Sequence, residues 1–163
     1  MLFRSATGAK GDPGTGSAAV AAHVRNDGPV TTAAQWTAVT WPLTGRTWTQ
    51  GATSTDLLYG VATVQVPNSC DDRFPGYPGY AFVWVGVDGP PSVFLGSGTL
   101  EFSPGFAGQT RLVPLSFDAS GGALFAPATD TPHVMEATVY DTCGGADQDF
   151  TFKSLKVDVI SVS

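Results

Sequence analysis

A chain of 163 residues with 20 Gly, 12 Pro and 13% charged residues, against a usual charged share of about 25%, has the size of one turn-rich domain or of one domain plus an arm. Its formal charge of −6, with eight cations never in a run, leaves no basic footprint for nucleic acid and no polybasic membrane anchor. No apolar stretch approaches the roughly 18 residues of a transmembrane helix, and the start, MLFRSATGAKGDPG, lacks the apolar segment of a secretory signal.

Residues 1–17 differ from the rest. Gly8-Ala9-Lys10, Gly11-Asp12-Pro13 and Gly14-Thr15-Gly16 are three collagen-like triplets. Only Gly fits near the axis of three wound chains, and Pro pre-sets the extended conformation. Three triplets are too few to hold a triple helix alone, so the segment reads either as a Gly/Pro/Ser linker or as an extended arm that docks on a partner or on sister chains. In the second reading Phe3, Gly8, Gly11, Pro13 and Gly14 are its docking residues.

From residue 18 to 163 the pattern is short strands separated by turn residues. Ala19 to Val24 is a weak first strand, closed by the turn signal Asn26-Asp27-Gly28-Pro29. A strand from Trp36 to Trp41 stops at Pro42, and Thr47 to Gln50 is a short edge piece. Leu57 to Val66 places Leu57, Tyr59, Val61, Thr63 and Gln65 on one face and Leu58, Val64 and Val66 on the other. Tyr80 to Val87 is apolar on both faces and predicts a central strand buried on both sides. Strands at 93–102 and 110–117 flank a Pro/Gly loop at 103–108. His133 to Asp141 alternates, as do Leu155, Val157 and Val159 against Lys156 and Asp158. Of 14 acidic residues only Glu101 and Glu136 are Glu, and Asp favours turns over helices. With no helical period and no crossover helices, the fold predicted is all-β: an antiparallel two-sheet sandwich, jelly-roll-like, with an extended N-terminal arm.

Chemistry is harder to place. Cys70 and Cys143 each follow a strand end and enter a polar loop; they fit a disulfide at one end of the sandwich, with two free thiols as the alternative. Asp71, Asp72, Asp141, Asp147 and Asp149 lie around them. Calcium takes six to eight oxygens and would suit such loops, although five loop Asp are also what ordinary turn chemistry produces. His23 and His133 are the only histidines, and no nucleophile elbow, zinc-protease motif or phosphate-binding loop occurs, so no catalytic residue is assigned and no enzyme is predicted. Phe74, Tyr77 and Tyr80, held by Pro and Gly, are candidate contacts for glycan or protein, while Trp84 reads as core.

A collagen-like lead-in followed by a Thr/Gly-rich β domain resembles minor structural proteins of tailed bacteriophages, especially those of actinobacteria; the Ala/Thr/Val/Gly-heavy, Lys-poor composition suits a high-GC genome. The closing run, His133 to Cys143 and then Phe150 to Ile160, looks like the last two strands of jelly-roll domains in such fibres and in carbohydrate-binding modules. The resemblance implies a homotrimeric virion protein, assembled in the host cytoplasm and released by lysis. It would decorate the capsid exterior, with the arm docked on the major capsid protein or another virion protein, the sandwich projecting outward and the particle stabilised. The alternative is a carbohydrate-binding or host-adhesion module at a fibre tip or on a cell surface.

Overall fold

The computed structural model describes residues 17–33, 35–71, 78–88, 94–117, 123–145 and 148–163. The arm residues Phe3, Gly8, Gly11, Pro13 and Gly14, and also Asp72, Phe74, Tyr77 and Asp147, lie outside the described residues.

Alternating side chains and frequent turn residues produce strands and, among the described residues, a single 3-10 turn at Pro104–Phe106. The strands are β1 (Ala18–Asn26), β2 (Val30–Thr31), β3 (Val39–Thr40), β4 (Leu43–Thr44), β5 (Thr47–Gln50), β6 (Thr55–Gln65) and β7 (Tyr80–Val87). They continue with β8 (Phe94–Glu101), β9 (Thr110–Pro114), β10 (Ser116–Phe117), β11 (Ala123–Leu124), β12 (Thr131–Asp141) and β13 (Thr151–Val162).

All pairings are antiparallel and form two sheets. In the first, β4, β1, β13 and β6 lie side by side; β2 extends the β1 side of β13, and β9 and β11 share the far edge of β6. In the second, β10, β8, β7 and β12 are neighbours, with β3 and β5 along the free side of β12. The long strands therefore read β1-β13-β6-β9 over β5-β12-β7-β8. The first strand pairs with the last, and successive long strands exchange sheets except at the β7–β8 pair, which is the strand order of a jelly roll. The fold is the antiparallel jelly-roll sandwich that the sequence predicts.

The core lies between the sheets. Val24, Leu58, Ala62, Val64, Leu155, Val157 and Val159 point in from the first sheet; Ala81, Val83, Val85, Met135, Ala137 and Val139 meet them from the second. Of the two faces that alternation separates on β6, the one with Leu58 and Val64 is buried, while Tyr59 faces out. A bulge between Phe152 and Ser154 shifts the parity of β13, so that Phe152 and Leu155 both face inward. Trp41 closes one side, edge-on to Phe152 at 5.6 Å and donating its indole N–H to the Gly28 carbonyl at 3.0 Å.

Three expectations change. Residues 36–41 hold only the two-residue β3; Trp36 sits in a turn because its N–H is drawn to the Asp141 carbonyl at 2.9 Å. The strand expected at 110–117 breaks at Leu115, where the chain crosses from β6 to β8 and Leu115 donates to the Gly60 carbonyl at 3.0 Å. Glycine suits the position opposite: a Cβ at position 60 would stand 2.6 Å from Leu115 Cδ1 and push that side chain aside. Finally, β7 is central in its sheet, but its outer side chains Tyr80, Phe82 and Trp84 are half-buried rather than covered, because no layer packs on them among the described residues. Trp84 is thus on the outer face and not in the core.

Candidate functional site

The end of the sandwich where β12 turns into β13 gathers Cys70, Asp71, Tyr80, Asp141, Cys143 and Asp149. Cys70 and Cys143 are joined in a disulfide, their Cα atoms 5.1 Å apart. The bridge packs on Gly79, the residue before β7; a Cβ there would lie 1.9 Å from Cys70 Sγ, so no other residue fits without displacing the bridge. Thr142 donates its N–H to the Tyr80 carbonyl and accepts from the Tyr80 N–H through Oγ1, both at 2.9 Å. The disulfide and this pair lock the start of β7 to the end of β12.

Asp141 organises the turn. Its side chain is buried and accepts from the Thr32 hydroxyl, from the Cys143 N–H at 3.1 Å and from the Phe150 N–H at 3.3 Å. Desolvation raises its pKa, opposed by those three donors and assisted by the charge of Asp149. Asp71 is held by the Gln148 amide, which donates to its carboxylate at 2.7 Å and accepts from its N–H at 2.7 Å. The carboxylates of Asp71 and Asp141 are therefore taken up by the fold, and with Asp149 they do not make a metal-holding group: among the described residues no three His, Cys, Asp or Glu side chains converge in that way. The other two residues of the calcium expectation, Asp72 and Asp147, lie outside the described residues.

Above this turn lies an aromatic face. Period-2 alternation sends Tyr80, Phe82 and Trp84 outward from β7. Tyr140 projects from β12 on the same face, directly opposite Phe82, and the two rings stack at 4.6 Å and 13°. Trp84 meets Tyr140 edge-on at 4.8 Å, and Tyr80 lies 5.9 Å from Phe82. Trp36 leans over Tyr140 at 6.0 Å, with 56% of its surface exposed. It is held there by its N–H on the Asp141 carbonyl and by the Gln35 amide on the Thr142 carbonyl. Its φ is 61°, a left-handed conformation that is rare for a bulky residue and costs of order 1–3 kcal/mol. Asp88 (φ 58°) shares that region but is of a type that tolerates it. Burial raises the pKa of Tyr140, so its hydroxyl stays protonated. Hydroxyls and a carboxylate flank the rings: Ser97, Thr99 and Glu101 of β8 lie opposite Trp84, Phe82 and Tyr80.

The histidines are committed elsewhere. The Gln50 side-chain nitrogen donates to the carbonyls of Ser54, Leu124 and Phe125, so its oxygen receives the proton of His133 Nε2 at 2.9 Å, while Nδ1 faces Asp88. With both nitrogens hydrogen-bonded, His133 ties β5, β11 and β12 together. His23 lies on the outer face of the first sheet, sharing Asp158 with Arg25.

Of the residues expected from sequence to contact a ligand, Tyr80 belongs to this face, and Phe74 and Tyr77 lie outside the described residues. Trp36, Phe82, Trp84 and Tyr140 were not foreseen there. The period of β7 groups Tyr80, Phe82 and Trp84, but nothing local pairs them with Tyr140 or Trp36. Comparison with protein-family models finds no match to the chain, and comparison with curated proteins finds none either.

Proposed function

We propose that the chain is a virion structural protein that decorates the capsid exterior, its N-terminal arm docking on the shell and its jelly roll projecting outward. The observation that supports this reading is the polarity of the sandwich. Ser17, where the arm joins, is bonded to Ser163 (Ser163 N–H to Ser17 carbonyl, 3.1 Å), and β13 runs from there to the disulfide end, roughly 40 Å away at about 3.3 Å per residue. An arm anchored on a particle would leave the disulfide and the aromatic face pointing away from it. A disulfide at that outer end suits surroundings more oxidising than the cytosol. Clamping neighbouring shell subunits would add buried area between them and stabilise the particle against internal pressure.

The test is co-sedimentation with undecorated capsids. The full chain should bind, and a chain lacking residues 1–16 should fail to bind while keeping its thermal midpoint. Undiminished binding by the truncated chain would end the docking role.

A second reading, a carbohydrate-binding or adhesion module, is favoured by the outward aromatic face. The two are compatible, because a decoration can also adhere.

A further inference from the structure

We propose that Trp36, with Tyr140, Phe82 and Trp84 beneath and beside it, is a stacking site for a pyranose ring of a neutral polysaccharide. The inference deepens the adhesion reading and is independent of the arm. Three observations carry it. First, the chain accepts a left-handed backbone at Trp36 and spends two hydrogen bonds, from the Trp36 N–H and the Gln35 amide, on holding an indole that is more than half exposed. A turn needed only for chain reversal would be less strained with Gly or Asn there, so the ring itself is what the geometry preserves.

Second, the rings below are mutually packed, with centroids 4.6 to 6.0 Å apart, and their strands are cross-braced by the disulfide and the Thr142–Tyr80 pair. The floor is therefore rigid before a ligand arrives, which lowers the ordering cost of binding.

Third, the apolar rings adjoin polar side chains at strand spacing: Ser97, Thr99 and Glu101 on β8 and Thr138 on β12. A ligand matching both must present a flat C–H surface edged by hydroxyls, and a pyranose does. A protein hot spot calls for a desolvated apolar pocket instead. The chain's charge of −6 and the nearby Glu101 disfavour an anionic polymer, leaving neutral sugars.

The test is electrophoresis of the full chain through native gels cast with a mixed-linkage glucan, a glucomannan or a galactomannan. Two variants accompany it: Trp36→Gly, which suits the left-handed backbone and so should keep the thermal midpoint, and Trp36→Tyr, which keeps a ring. At least one polysaccharide should retard the wild type; the apparent Kd should rise at least about tenfold in Trp36→Gly and recover in large part in Trp36→Tyr. Equal retardation of wild type and Trp36→Gly would overturn the site while leaving the adhesion reading standing. No retardation of the wild type by any of the three would overturn both. Neither result bears on capsid attachment, which the truncated chain tests separately.

Discussion

Asp141 carries the end of the molecule that holds the disulfide. One buried carboxylate satisfies the Thr32 hydroxyl and the N–H groups of Cys143 and Phe150, closing three segments on one another. Asp141→Ala takes the acceptor from the Cys143 N–H, while the Phe150 N–H keeps Thr32 Oγ1 at 3.0 Å and the Thr32 hydroxyl keeps the Phe150 carbonyl at 3.2 Å. The substitution should cost about 2 kcal/mol in urea unfolding. The charge itself opposes folding, because desolvation lifts its pKa above the ordinary 3.8. Between those two values the folded chain binds more protons than the unfolded one, so stability falls as pH rises through that window. Asp141→Asn, which keeps an acceptor without the charge, should flatten that decline; an unchanged slope in the variant would mean other groups cause it. Asp158 works in the opposite sense. Its bonds to His23 and Arg25 hold its pKa below 3.8, so its small, solvent-screened contribution is present above that value and lost as pH falls through the depressed one.

Pairing of elements explains why the disulfide matters to the aromatic face. The bridge spans a sequence separation of 73 and joins the approach to β7 to the exit of β12. In the chain-entropy account, closing such a loop is worth roughly 4 kcal/mol. Cys70→Ser together with Cys143→Ser should lower stability by about that amount, measured by denaturant unfolding, and should broaden the near-UV signal of the tryptophans on that face. A loss near zero would show that the hydrogen bonds of Asp141 and Thr142 suffice. Elements also mark where reading the chain locally fails. Trp36 to Trp41 alternates like a strand, but its first residues are bound to the 141–142 backbone and turn instead. Thr110 to Phe117 reads as one strand, yet it switches sheets at Leu115, because Gly60 leaves space there for the leucine. Competing partners far along the chain decide both cases.

The described sandwich has two distinct ends, with Ser17 and Ser163 together at one and the disulfide and Trp36 at the other. If the collagen-like triplets wind three copies together, light scattering should give a trimer for the full chain and a monomer without residues 1–16, with the same thermal midpoint. A monomer in both forms would remove the arm as the assembling element and leave it to an external partner.

Composition and alternation by themselves determined the all-β class and which side chains share a face on β6, β12 and β13. They also left Cys70 a single possible partner within the chain, since Cys143 is the only other cysteine. Those properties are local: a side chain's face follows from a period of two along its own strand. The order of strands, the register of Phe82 against Tyr140, the parity shift at Phe152 and the placing of Trp36 over Tyr140 were decided only by the tertiary structure. Register depends on hydrogen bonds and packing between segments far apart in the chain, and a single bulge reverses every later face. The aromatic face draws on residues 36, 82, 84 and 140, so no window of the sequence contains it.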